Sequence, residues 1–350
     1  MSEYIVSKDR LIKASPKNIV EDGRAIFGSF SESIENLNLL EIHNQAKGLP
    51  DFFNAARLTI WEAFELDFPY GKLVSAVYKN MHYNGMGILV YYDKLENKIY
   101  SYRKLTGYKR ASVAFNLINS ESVISLKNFK LKIINDFKNK RAHVIADICS
   151  KRNGRLTMDI ELTMQAPSSV AMIPLGPNKP LYSEKAFFMA QGSLSFRGND
   201  YNIGNGAMAI IDDHKAYYPY IAHYVWLTTM GHIKHNDHDV EFGFNLTKNQ
   251  STNEEKYNEN NIWVGDKFYY LPPVEFIKAK GKWLIKDKYG KVNLEFNIKR
   301  SFKMNMHALI LDIKYDLSFG TLKGYLKNTN GEKFIVDGLL GIAEDKTTRL

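Results

Sequence analysis

The chain has 350 residues, 47 of them basic and 38 acidic, giving a formal charge of +9, and it has one cysteine. A chain this long can bury roughly 75% of its unfolded surface, so it needs no covalent staple, and a lone Cys149 excludes an intramolecular disulfide framework. Residues 1–20 are interrupted by Lys8, Asp9, Arg10, Lys13 and Lys17, unlike a secretory leader, and no apolar run approaches the ~20 residues of a membrane helix. The expectation is one large or two medium domains in the cytoplasm, without a transmembrane segment; peripheral membrane contact stays open.

A basic excess can mark a nucleic-acid or anionic-membrane partner. Here the lysines are spread out. The densest run, 127–141, alternates with Phe129, Leu131, Ile133, Ile134 and Phe137, the pattern of a strand pair or a helix with one solvated face. No nucleic-acid partner is expected.

Taken in order, the apolar spacing over 34–42 predicts a helix, and a short helical piece is expected near 51–57. Segments rich in Val, Ile, Tyr and Phe predict strands over 87–92, 112–117, 142–148 and 156–163. Pro167, Pro174, Pro177 and Pro180, with Gly176, then fall within fourteen residues. Proline donates no ladder hydrogen bond and fixes φ, so a division is expected over 165–182, separating an N-terminal β half (1–170) from a C-terminal one (171–350). Further strands are expected over 263–270, 292–298 and 309–315, and Asn153-Gly154, Tyr289-Gly290 and Asn330-Gly331 sit where hairpin turns need positive φ. Short strands at this spacing imply an all-β protein, two lipocalin-like β-barrel or sandwich halves with few short helices.

The segment with most chemistry is Asp212, Asp213 and His214, followed by Tyr218, Tyr220, Tyr224 and Trp226. Strand side chains alternate, so the four aromatic residues can share a wall with Asp212 and His214. Asp212 or Asp213 is the candidate general acid, since an apolar pocket keeps a carboxyl group protonated, and His214 can hold the proton. The same residues also fit a packed barrel interior or a solvated strand end. Asn245, Glu259 and Asn260 are polar groups among apolar strands, either pocket groups or structural clips. His232, His235 and His238 surround a hairpin-like Asn236-Asp237 and lack the spacing for three ligands on one strand face, so no metal is expected. Without a phosphate loop, dinucleotide fingerprint or nucleophile elbow, no cofactor is expected either.

Several blocks match a known pattern in order and spacing. They are Tyr182-Ser183-Glu184-Lys185, Gly192-Ser193-Leu194, Asp212 with Pro219-Tyr220, Tyr224-Val225-Trp226, Gly243-Phe244-Asn245-Leu246, Asn258-Glu259-Asn260, Trp263-Val264-Gly265, Phe319-Gly320 with Gly324, and Gly341 to Glu344. Over about 180–350 this resembles a bacterial family catalogued as domain of unknown function 2804. The N-terminal half is similar more loosely, through Tyr83-Asn84-Gly85, Tyr102-Arg103-Lys104 and Asn116-Leu117. Where the family usually has Trp after the aspartate, this chain has Asp213; where an Arg-Gly pair often follows, it has Lys215-Ala216. Asp213-His214 also resembles, distantly, the Asp-His pair of lipocalin-like carotenoid hydratases. That resemblance implies a hydratase- or isomerase-like enzyme in which an acid protonates an isoprenoid double bond. The combined expectation is a barrel that binds, and acts by acid catalysis on, a hydrophobic or amphipathic small molecule, with Lys185 among the ligand-binding residues. A non-catalytic lipid carrier or scaffold, or a partner-binding protein using its basic surface, is the alternative.

Overall fold

Residues with branched or aromatic side chains at alternate positions, punctuated by Gly and Asn, favour pleated strands over helix, and strands are what the chain forms. A computed structural model describes residues 10–43, 51–204, 206–308 and 311–349. Among them the α-helix is Asp51–Arg57, and no helix is long and apolar enough to cross a membrane.

Two antiparallel meanders, β1 (Thr59–Phe68), β2 (Gly71–Asn80), β3 (Asn84–Asp93) and β4 (Lys98–Gly107), then β5 (Ser120–Leu126), β6 (Phe129–Asp136), β7 (Arg141–Ser150) and β8 (Gly154–Met164), are joined by β9 (Pro180–Phe196) and β10 (Met208–Ala216). The order β4-β3-β2-β1-β10-β9-β8-β7-β6-β5 curves into a nearly closed barrel. The remainder forms a half-barrel of β11 (Ile221–His235), β12 (His238–Lys248), β13 (Asn261–Val264), β14 (Lys267–Tyr270), β15 (Glu275–Ala279), β16 (Lys282–Lys286), β17 (Val292–Ala308), β18 (Leu311–Lys327) and β19 (Lys333–Arg349). Its order is β14-β13-β12-β11-β19-β18-β17-β16-β15.

Each sheet fills its own interior. Phe64, Leu66, Leu89, Leu131 and Val144 lie inside the barrel, and Leu227, Phe244, Trp283, Phe296 and Phe334 inside the half-barrel. A third cluster joins the two sheets: Val74, Val90 and Tyr92 pack on Trp226, Leu317, Phe319 and Ile342, with Tyr92 stacked on Phe319 at 5.3 Å. The face of β1–β3 turned away from the barrel core is therefore a buried interface.

The all-β architecture, the helix over 51–57 and the positive φ at Gly154, Gly290 and Gly331 match the sequence reading. Four details differ. The segment 34–42 buries Ile34, Leu37, Leu39 and Ile42 as an irregular strap with one 3-10 turn, Leu39–Glu41, because that spacing also suits a chain laid over a core. The strand over 112–117 shrinks to Ala111–Ser112, and 263–270 is two strands folded at Gly265, whose φ is 56°. The first two residues of 309–315 lie outside the described residues; the rest is β18. Lastly, the prolines bracket a hairpin inside the first sheet, Pro174 opposite Pro180, and the chain changes sheets at 217–220 instead of over 165–182. Pro174 and Pro180 stand at the ends of their strands, where a missing donor does little harm.

Candidate functional site

Every residue of β10 is buried, because one of its faces looks into the barrel and the other toward the second sheet. Strand alternation divides the acidic pair. Asp212 and His214 face the second sheet; Asp213 and Lys215 face the barrel interior. On the inter-sheet side, Asp212 lies opposite Ala63 of β1, and Ala63 lies opposite Ala76 of β2. Two adjacent alanines on a wall of larger side chains leave room.

That room is a cavity of about 710 Å³ between the sheets. One wall carries Trp61, Ala63 and Glu65 of β1 with Val74, Ala76 and Tyr78 of β2; the facing wall carries Tyr224, Trp226, Tyr315, Glu344 and Lys346. The cluster around Val74, Val90 and Trp226 closes one end. Exposed Tyr83, Leu105 and Tyr220 rim the other. The ligand space expected inside a barrel is thus at the junction of two filled ones.

Four buried charged groups meet in the cavity wall. Lys185 of β9 is the cross-strand partner of Asp212, and Ser183 that of His214. Lys185 Nζ lies 2.5 Å from Asp212 Oδ1 and 3.3 Å from Glu259 Oε2. His214 Nε2 lies 3.0 Å from Asp212 Oδ1 and 3.2 Å from Glu259 Oε2. Ser183 donates to Glu259 at 2.7 Å. The imidazole is stacked on Trp61 at 4.3 Å and 14°, and the Trp61 indole N–H reaches the Tyr218 hydroxyl at 3.4 Å.

Burial would raise Asp212, but Lys185 and then His214 reverse this and hold it below the usual carboxylate range. The balance for Glu259 is the same: burial raises it, and Lys185 and His214 more than compensate, leaving it far down. His214 is held up: burial and Lys185 lower it, and Asp212 and Glu259 prevail. Lys185 is also raised, burial being outweighed by the same two carboxylates. The two carboxylates are thus drawn down, and the two nitrogen groups drawn up, by one another. His214 Nε2 faces both carboxylates and also lies 3.0 Å from Lys185 Nζ and 3.2 Å from Ser183 Oγ, whereas Nδ1 has no protein partner among the described residues.

The other candidates separate. Asp213 is bound to Lys215 inside the barrel, near Glu62, and does not line the cavity; burial raises it. Tyr218, Tyr224 and Trp226 line the cavity, with Trp226 only 7% exposed. Tyr220 is 63% exposed at the rim, since the turn between the sheets leaves nothing to cover it. Asn245 is a clip: its Oδ1 accepts the Trp226 indole N–H at 2.5 Å and its Nδ2 donates to the Glu259 carbonyl at 2.9 Å. Asn260 is another, accepting from Thr247 N and donating to the Pro272 carbonyl. His235 and His238 face each other across the Asn236-Asp237 turn, and His235 pairs with Glu332 at 2.8 Å.

Two acids that the sequence reading did not place in the site also line the cavity. Glu344 accepts from the hydroxyls of Tyr224 and Tyr315, and burial raises it. Glu65 is raised well above the usual range, by burial first and then by Asp212. Their signal was a carboxylate within a strand apolar on both faces, as in Trp61-Glu62-Ala63-Phe64-Glu65-Leu66.

The family model described as Domain of unknown function (DUF2804) matches residues 10–350. The chain belongs to this family. The Tyr182-Ser183-Glu184-Lys185 block supplies Lys185, and Asn258-Glu259-Asn260 supplies Glu259 with an asparagine on either side. No curated protein matches the sequence. Among solved structures, CghA with Sch210972 superposes with a TM-score of 0.51 at 8% identity, over 98% of this chain and 97% of that one. An AttH-type protein from Nitrosomonas europaea gives 0.49 at 12% identity over 86% and 98%. Kievitone hydratase from Nectria haematococca gives 0.43 at 10% identity over 82% and 88%. At 8% identity the likeness to CghA is one of fold alone.

Proposed function

We propose that this DUF2804 protein binds a hydrophobic or amphipathic small molecule, of lipid or isoprenoid type, between its two sheets and acts on it by proton transfer. The observation that carries this reading is the 710 Å³ cavity, walled mostly by apolar and aromatic side chains yet reaching the Lys185–Asp212–His214–Glu259 set. That volume falls in the roughly 300–1,000 Å³ range of small-molecule sites, and a few convergent polar groups in an apolar wall are their usual make-up. That CghA, a protein of similar fold, has been crystallised with Sch210972 supports a small-molecule reading at the level of fold.

In this scheme His214 is the acid. Asp212 and Glu259 stabilise its imidazolium and fix the ring, as Trp61 does by stacking. The Nδ1–H bond breaks as a C–H bond forms on a ligand double bond. The resulting cation takes a water oxygen and loses a proton, or loses a neighbouring proton directly; either way the proton returns to the imidazole. These are hydratase- and isomerase-type outcomes. Asp213, on the other face of β10, has no part in it.

Native mass spectrometry of the purified protein should show a bound apolar molecule. His214→Gln and Asp212→Asn should abolish turnover of isoprenoid candidates while binding persists. Binding with no turnover by the wild-type protein would leave a carrier, and absence of binding would remove the reading.

A further inference from the structure

The closed end of the cavity holds an acid that the proton transfer above does not use. Glu65 is 1% exposed and lines the cavity, and neither of its carboxyl oxygens has a hydrogen-bond partner. Its cross-strand neighbours, Ile210 and Val74, are apolar. Burial, reinforced by Asp212 and only partly opposed by Lys185 and Lys72, holds the carboxyl well above the usual range and so favours its protonated form. Buried polar groups in native proteins nearly always have partners, so a carboxyl in the cavity wall with none from the protein points to a partner that arrives with the ligand.

Resting on the ligand-binding reading above, we propose that Glu65 recognises the ligand by donating a hydrogen bond to a neutral oxygen, a carbonyl or hydroxyl, carried on an otherwise apolar molecule. The charges around it argue for neutrality. Lys185 and His214 each already lie between Asp212 and Glu259. On the facing wall Glu344 is occupied by Tyr224 and Tyr315. Lys346 lies one alternation nearer the mouth, over the rings of Tyr224 and Tyr315 at 5.7 and 5.9 Å. A carboxylate head at the closed end would meet Asp212 and Glu344, and the buried Lys72 near Glu65 already faces Asp67 at 3.8 Å, whereas a ketone or alcohol meets a donor.

The test is a thermodynamic cycle on the full chain, reading displacement of Nile red by 2-undecanone and by 2-methyl-1-undecene, in which a CH₂ replaces the carbonyl oxygen. Wild-type, Glu65→Leu and Glu65→Gln proteins are compared. The ketone-to-hydrocarbon affinity ratio should fall about five- to tenfold in Glu65→Leu, the usual weight of one buried neutral hydrogen bond. It should be largely kept in Glu65→Gln, whose amide still donates. An unchanged ratio in Glu65→Leu would overturn the assignment of Glu65 while leaving the cavity a binding site. No displacement by either compound from the wild-type protein would overturn the ligand-binding reading itself, and this assignment with it.

Discussion

Asp212 and Asp213 are neighbours in sequence with opposite surroundings, and their chemistry follows the surroundings. Asp212 is an anion between Lys185 and His214. Removing its charge leaves both cations to Glu259, so Asp212→Asn should cost about 3–5 kcal/mol in urea unfolding at pH 7, the usual result of breaking a buried ion pair. A loss below 1 kcal/mol would mean that the set is not closed as described. The pH dependence has a definite sign. Asp212 and Glu259 are held down, so their contribution is complete above the ordinary carboxylate range and fades as pH falls through their lowered values. His214 is held up, so its share is present below about 6.5 and is lost as pH rises through its raised value. Inside the barrel the sign is opposite for the acids. Glu62, which accepts hydrogen bonds from Ser122 and Asn135, is pushed up to about 8 by burial and then by Asp213. The folded state holds that proton more tightly, so stability should decline from about pH 4.5 to 8. In Glu62→Gln the decline should flatten; an identical pH profile in the variant would assign the slope to other groups.

Among the elements, β9 and β11 show how a strand is held at one register. Gly192 of β9 has φ 140°, and a Cβ there would come within 2.1 Å of the Asp159 carbonyl of β8. Gly192→Ala should therefore lower the unfolding midpoint even though it adds only a methyl group, and a midpoint at or above wild type would refute the close approach. Trp226 of β11 is buried and gives its indole N–H to Asn245, whereas Tyr220 stands in the turn before the same strand, exposed. Trp226→Ala should cost about 3–5 kcal/mol and Tyr220→Ala less than about 0.5 kcal/mol. Chemical denaturation of the two variants side by side checks the contrast, and equal losses would contradict it. The barrel elements were largely legible beforehand, since β6 and β8 alternate between buried and partly buried or exposed positions along most of their lengths. Segment 34–42 was misread as helix because i, i+3 apolar spacing is shared by a helix and by a strap crossing a core.

At the scale of the whole molecule, the cavity exists because two filled sheets meet imperfectly over Ala63 and Ala76. Filling it with a larger side chain should block binding without touching any charge. Ala76→Phe should abolish Nile red binding and leave the denaturation midpoint unchanged or higher; retained binding would place the ligand elsewhere. The sequence by itself determined the all-β class, most of the turns and the family, and it named several residues of the candidate site, because period-two patterning, Gly-Asn turn chemistry and short spaced motifs are local properties. Which side each acid faces, and the meeting of Lys185, His214 and Glu259, were decided by tertiary structure alone. Residues 185, 214 and 259 come from separate segments, and only strand register and the packing of one sheet on another bring them within hydrogen-bonding distance. The same holds for Glu65 and Glu344, strand acids in sequence, which the joining of the two sheets seals away from water and whose carboxyl groups burial raises.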